Sequence, residues 1–193
     1  MPRPYHNQNW RLLVNSRKII LNADQLRKGK GERVKEKVKK QEIYIVLDNV
    51  LDTYNIGSIF RLADAVAAKK IYLCGGTETP PNHRIKKASI NTTEVVEWSW
   101  AESAVRAVRE VREKTPEVQI IAIEQSPKSI QYNKFEYKMP ICLVVGHESD
   151  GVSKEVLKMA DGIVELPMFG VNKSLNVMVS LGIVLYEVIE KTS

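Results

Sequence analysis

The chain has 193 residues, 44% hydrophobic and 27% charged, which suits one ordinary domain with a small appendage and excludes a disordered polypeptide. The formal net charge of +6 makes a nucleic acid a reasonable partner, because phosphate attraction supplies most non-specific affinity. The opening "MPRPYHNQNW" has no apolar core of a secretory signal and the longest apolar stretch is too short to span a bilayer, so a cytoplasmic location away from membranes is expected.

Residues 1–41 lack a strong apolar period and read as a basic, partly helical arm. Within it, "RKGKGERVKEKVKK" (27–40) sets eight basic residues against Glu32 and Glu36. Arg27, Lys28, Lys30, Arg33, Lys35 and Lys37 are its candidate phosphate contacts. The pattern then changes. "EIYIVLD" (42–48) is a short β-branched run, hence a buried strand. "NIGSIFRLADAVAA" (55–68) has Ile56, Ile59, Phe60, Ala63 and Val66 at helical spacing, with Asn55 as N-cap. "KIYLCG" (70–75) is the next strand, which completes a βαβ unit and predicts a parallel sheet. "ETPPNHR" (78–84) reads as a loop.

The alternation continues with an amphipathic helix over 101–114, strands over 118–124 and 140–146, a short helix over 153–160 capped by Ser153, a strand over 162–167 and a final helix over 174–191. That helix is apolar on nearly every side, so part of it should face the sheet and part a partner subunit. The fold class is α/β: one domain with a mostly parallel sheet of five or six strands and helices on both faces. Cys74 and Cys142 sit in apolar strands and read as core thiols. With no CxxC pair, no Cys/His cluster, and His6, His83 and His147 far apart, no metal is expected.

Ligands of such sheets bind beyond the carboxyl ends of the strands. The loops there are "DNVLDTYNIG", "EQSPKS", "GHESDG" and "MFGVNKS", each with the Gly, Asn or Ser that permits close backbone approach. Neither GxGxxG nor a P-loop occurs, which excludes classical dinucleotide binding and P-loop chemistry. Arg61 falls in the second turn of its predicted helix and is either a surface arginine or an anion-binding group near the helix mouth. Glu148, between Gly146 and Gly151, is a turn carboxylate or a site residue. Ser174 and Asn176 cap the last helix or line a site.

Taken together and in order, "NIGSIFRLADA", "LVVGHESDGVS" and "ELPMFGVNKSLNVMVSLGIVLYE" resemble the three motifs of the SpoU-type (TrmH) family of SPOUT RNA methyltransferases. The resemblance runs from about residue 43 to 190. It implies a methyltransferase domain over 42–193 whose C-terminal part is tied into a deep trefoil knot, S-adenosyl-L-methionine as cofactor, a homodimer, and methylation of a ribose 2′-hydroxyl in tRNA or rRNA. Position by position, it implies catalytic roles for Asn55, Arg61, Glu148, Ser174 and Asn176. The implied cofactor-binding positions are Gly146, Leu166 and Leu175, to which the strand end before "QSPKS" adds Ile123 and Glu124. The basic arm would then serve as the RNA-binding element. One departure stands out: "KKASINTTEVVEW" lacks the glycine many relatives carry in this stretch. The alternative function is a non-catalytic RNA-binding protein that keeps the knotted fold.

Overall fold

The structure, a computed structural model, describes residues 21–28, 30 and 38–192. The predicted phosphate contacts Arg33, Lys35 and Lys37 lie outside the described residues. What is described of the arm is one short helix, α1 (Ala23–Arg27), closed by a capping box in which Asn22 and Gln25 bond each other's backbone N–H. Lys28, just past its end, pairs with Asp24 at 2.8 Å, and Lys30 is exposed.

The core begins with β1 (Gln41–Asp48), α2 (Thr53–Ala65), β2 (Ala68–Cys74) and α3 (His83–Ser89). It continues through β3 (Trp98–Ala101), α4 (Ala104–Lys114), β4 (Gln119–Ile123), β5 (Ile130–Gln131) and β6 (Ile141–Gly146). It closes with α5 (Lys154–Met159), β7 (Gly162–Glu165) and α6 (Val177–Thr192). Among the described residues the sheet has seven strands in the order β3-β2-β1-β6-β4-β7-β5, every pair parallel. Alternate side chains of β1 feed two cores. Ile43, Ile45 and Leu47 pack with Ile56 and Phe60 of α2, Ile85 of α3 and Leu181 of α6. Tyr44 and Val46 pack on the other face with Val108 of α4 and Val156 of α5. Burial on both faces is why the strands read as unbroken apolar runs. Cys74 and Cys142 are buried free thiols in the second core.

Several expectations need correction. The sheet has seven strands, not five or six, because β3 and β5 are four and two residues long and too short to show a period. The predicted loop over 78–84 runs into α3, whose cap is Asn82: its Oδ1 accepts from the N–H groups of Arg84 and Ile85 at 2.9 and 3.2 Å. The first large helix starts at Thr53, capped by Asp52, whose carboxylate accepts from Tyr54 N–H at 2.7 Å. Asn55 is therefore inside the helix rather than its cap, and Arg61 falls in the third turn. Ser153 flanks α5 but makes no side-chain cap bond. The helix predicted from 101 starts at Ala104 behind the cap Ser103.

The last helix starts at Val177, not at residue 174. Its Leu181, Val184, Leu185 and Val188 are buried, whereas Val179, Ile183 and Tyr186 form an exposed stripe. The missing glycine also has a structural counterpart. Asn91 adopts φ +64°, left-handed backbone that glycine suits best and asparagine tolerates.

Candidate active site

The carboxyl end of β6 runs into a tight turn. His147 and Gly151 exchange two backbone hydrogen bonds, at 3.1 and 2.9 Å. The space a Cβ on Gly146 would need is filled by the Gly151 backbone, so the turn closes only with glycine there. His147 Nδ1 accepts from the N–H groups of Ser149 and Asp150 at 3.1 and 3.2 Å. The ring proton is thus on Nε2, and the 3.5 Å approach of Asp150 Oδ2 to Nδ1 is not an ion pair in that tautomer.

This turn presents Glu148 to the start of α2. Its Oε2 accepts from Leu51 N–H at 3.1 Å, and its Oε1 from Asp52 N–H at 3.0 Å and Asn55 Nδ2 at 3.1 Å. Burial alone would raise this carboxyl, but the hydrogen bonds from Leu51, Asn55 and Asp52 outweigh it and hold Glu148 below the ordinary value. The chain of bonds runs on. Asn55 Oδ1 accepts from Asn176 Nδ2 at 2.9 Å, and Asn176 Oδ1 accepts from Met178 and Val179 N–H at 2.9 and 3.4 Å. Donor and acceptor ends of both amides are thereby fixed, from the carboxylate at one end to the start of α6 at the other.

Beside this relay lies a cleft of about 530 Å³, within the usual range for a small-molecule site. Ile123, Glu124, Gly146, Glu148, Leu166, Ser174, Leu175 and Asn176 all line it. Asn55 touches it through Glu148 and Asn176. Arg61 does not line it. Six residues beyond Asn55, it sits about 9 Å farther along the helix and about 120° around it, exposed to solvent. Ser174 lies outside the helix that follows, its N–H 3.5 Å from Asn172 Oδ1, so the capping role belongs to Asn176.

Glu124 ties the same region together: its Oε2 accepts from Val152 N–H at 2.8 Å and its Oε1 from Gln125 N–H at 2.8 Å. Two supports were missed from sequence. Asp48, buried at the end of β1, accepts from Ser153 N–H at 2.9 Å. Gln125 Nε2 donates to Lys173 C=O at 2.8 Å and fastens the loop before α6. Gln125 stands in a strand-end loop, which is a weak signal. Asp48 reads only as the last letter of a strand.

Residues 42–186 match the SpoU rRNA Methylase family. The chain belongs to the SpoU family. It is 34% identical over 162 residues to the tRNA (guanosine(18)-2′-O)-methyltransferase of Aquifex aeolicus, covering 81% of this chain and 74% of that one. The crystal structure of the A. aeolicus TrmH/SpoU tRNA modifying enzyme superposes with a TM-score of 0.73 at 29% identity, over 86% of this chain and 84% of that chain. The AdoMet-bound rRNA methyltransferase of Sinorhizobium meliloti gives 0.71 at 28% identity, over 81% and 59%. The chain spans 61 to 66% of the length of three further curated relatives. The SpoU likeness and the all-parallel sheet together give the SPOUT knot fold.

The cleft suits a nucleoside-bearing cofactor such as S-adenosylmethionine. Ile123, Val145 and Leu166 offer an apolar wall for a flat ring, and Glu124 and Glu165 place carboxylates on a cleft that would receive a cation.

Proposed function

We propose that this SpoU chain methylates a ribose 2′-hydroxyl of tRNA or rRNA with S-adenosylmethionine as methyl donor. The observation that carries the reading is the relay from Glu148 through Asn55 to Asn176, which joins all three family motifs at the rim of one cleft. S-adenosylmethionine, when bound, supplies a methyl group already activated on a positively charged sulfur. The wall of Ile123, Gly146, Leu166 and Leu175 holds its adenosine part, and Glu124 keeps the neighbouring turn in register.

The chain's own task is to hold the ribose hydroxyl in line and exclude competing water. Ser174 and Asn176 put polar side chains on the cleft, and Asn55 supports Asn176 from behind. Glu148 acts as an anchor rather than a base. Three donors already occupy its oxygens, and its lowered carboxyl makes it a weak proton acceptor. Arg61 carries five N–H donors and accepts nothing. It stands exposed and off the cleft, and is assigned to RNA phosphate. The basic arm, including Arg27, Lys28 and Lys30, adds phosphate contacts.

We also assign a homodimer to the exposed stripe of Val179, Ile183 and Tyr186 on α6. These residues recur at i, i+4 and i+7, one face of a helix that otherwise meets water with apolar side chains.

Transfer of labelled methyl from the cofactor to bulk tRNA and rRNA, with DNA as control, tests the activity. Label in RNA alone supports it, and no label in any nucleic acid favours the non-catalytic alternative.

A further inference from the structure

Trp100 is a large side chain that the site just described does not use. It lies on β3, the edge strand, and is 55% exposed. Yet it is held in place: its indole N–H donates to Gly75 C=O at 3.2 Å. Trp98, two residues earlier on the same face, packs against the core that contains Ile85 of α3. One hydrogen bond holds the indole while more than half of the residue stays open to solvent.

A continuous rim joins Trp100 to Glu148. Gly75 has φ +59°, and a Cβ there would run into the Asn49 side chain. Asn49 Oδ1 accepts from Gly76 N–H at 3.0 Å, and its Nδ2 donates to Asp48 at 3.0 Å. A Cβ on Gly76 would stand 3.4 Å from Leu51, whose own N–H is bonded to Glu148. The rim follows the carboxyl ends of β6, β1, β2 and β3, with Gly75 and Gly76 between Asn49 and Trp100. Three strand spacings separate its ends, about 14 Å, the length of about four stacked nucleotides. After the Gly75–Gly76 turn the chain enters α3, which exposes His83, Arg84, Lys86 and Lys87. Of the nearby carboxylates, Glu78 is exposed and Glu102 faces Arg106 at 3.6 Å.

We infer that Trp100 is a stacking platform for an unpaired base of the RNA, a few nucleotides from the one that is methylated, with the rim from Gly75 to Leu51 as the track between them. This rests on the proposed RNA methyltransferase function. It adds that the substrate must present a single-stranded or looped segment, because a paired base has no free face to offer.

The test is binding of the full chain to labelled RNA by fluorescence anisotropy, with a short unstructured oligoribonucleotide, a hairpin of the same composition, and bulk tRNA. Trp100→Ala is expected to weaken the oligonucleotide and tRNA by about five- to a hundredfold and to change the hairpin stem little. Trp100→Phe is expected to restore most of the loss. The Kd for S-adenosylmethionine and kcat at saturating RNA should stay as in the unaltered protein, with KM for RNA rising. Thermal unfolding of both variants guards against misfolding, and the Phe variant keeps the question answerable if the Ala variant is unstable. Equal RNA affinity in all three proteins overturns the inference. So does an Ala variant that loses cofactor binding or subunit association in step with RNA binding, which would mark Trp100 as structural. Failure of the unaltered protein to bind any RNA overturns both this inference and the proposed function. RNA binding and methyl transfer that ignore Trp100 overturn this inference alone.

Discussion

Asn55 and Glu148, 93 positions apart in the chain, meet through a hydrogen bond of 3.1 Å between Asn55 Nδ2 and Glu148 Oε1. Because that bond uses the donor end of the amide, the acceptor end must face Asn176, and it does, at 2.9 Å. Glu148→Gln places an amide where three donors converge and cannot accept from all of them. The expected result is a methyl-transfer rate at least about tenfold lower, with a stability loss of about 1 kcal/mol in urea unfolding, typical of one net hydrogen bond near solvent. Unchanged transfer in the Gln variant would show that the carboxylate does not order the site.

The same group predicts a pH dependence. Its carboxyl is lowered in the folded protein, so the native state binds fewer protons than the unfolded state at pH values between the two titrations. The stability it contributes is fully present above the ordinary carboxylate value and is lost as pH falls through the lower, folded value. Urea midpoints of the unaltered protein and Glu148→Gln, compared from neutral to acidic pH, should therefore converge as the pH drops. A gap that stays constant would assign the difference to packing.

Asn176 serves two purposes that one substitution separates. Asp is as good an N-cap as Asn, so Asn176→Asp keeps the bonds to Met178 and Val179. It cannot donate to Asn55 Oδ1, and turning Asn55 over would set its carbonyl against Glu148. Near-normal stability with strongly reduced transfer is expected, whereas Asn176→Ala should lose about 1 kcal/mol as well. Equal activity in Asn176 and its Asp variant would reduce this residue to a cap.

Gly146→Ala should fail on packing grounds. Its Cβ would overlap the Gly151 backbone, and neither backbone can move without opening the turn that carries Glu148. A cost of about 3 kcal/mol or more is expected, read from thermal or urea unfolding. A stable, active Ala variant would refute the close approach.

The exposed stripe on α6 gives a prediction about assembly. Ile183→Glu places a charge in the middle of Val179, Ile183 and Tyr186 and should convert a dimer into a monomer by light scattering. A monomer already present in the unaltered protein would contradict the assigned interface.

Much of the fold was legible because its signals are local and strong. β1, β4 and β6 are buried on both faces and announce themselves as apolar runs, and α4 by its period. β3 and β5 were not, since four- and two-residue strands take their conformation from the neighbour they pair with, not from their own composition. Helix starts slipped for a similar reason. Asp52, Asn55 and Asn82 are all competent caps, and only the fold decides which one meets free N–H groups. The motifs as a set picked out residues that the fold brings to one cleft or next to it, Arg61 excepted. The hydrogen bonds between them were not legible, because Asn55, Glu148 and Asn176 become neighbours only once β1, β6 and α6 are in place. Asp48 and Gln125 were missed because a carboxylate or amide that holds backbone looks the same in sequence as one that faces water.

Ribose methylation of RNA leaves a modified nucleoside that can be read directly. Its most direct test is mass spectrometry of nucleosides released from tRNA and rRNA after incubation with the protein and S-adenosylmethionine. A 2′-O-methylated nucleoside that appears with the unaltered protein and is lost with Arg61→Ala, while that variant still binds cofactor, is the predicted result. Methyl groups found only on bases would rule out ribose methylation, and transfer independent of Arg61 would remove that residue from the reaction.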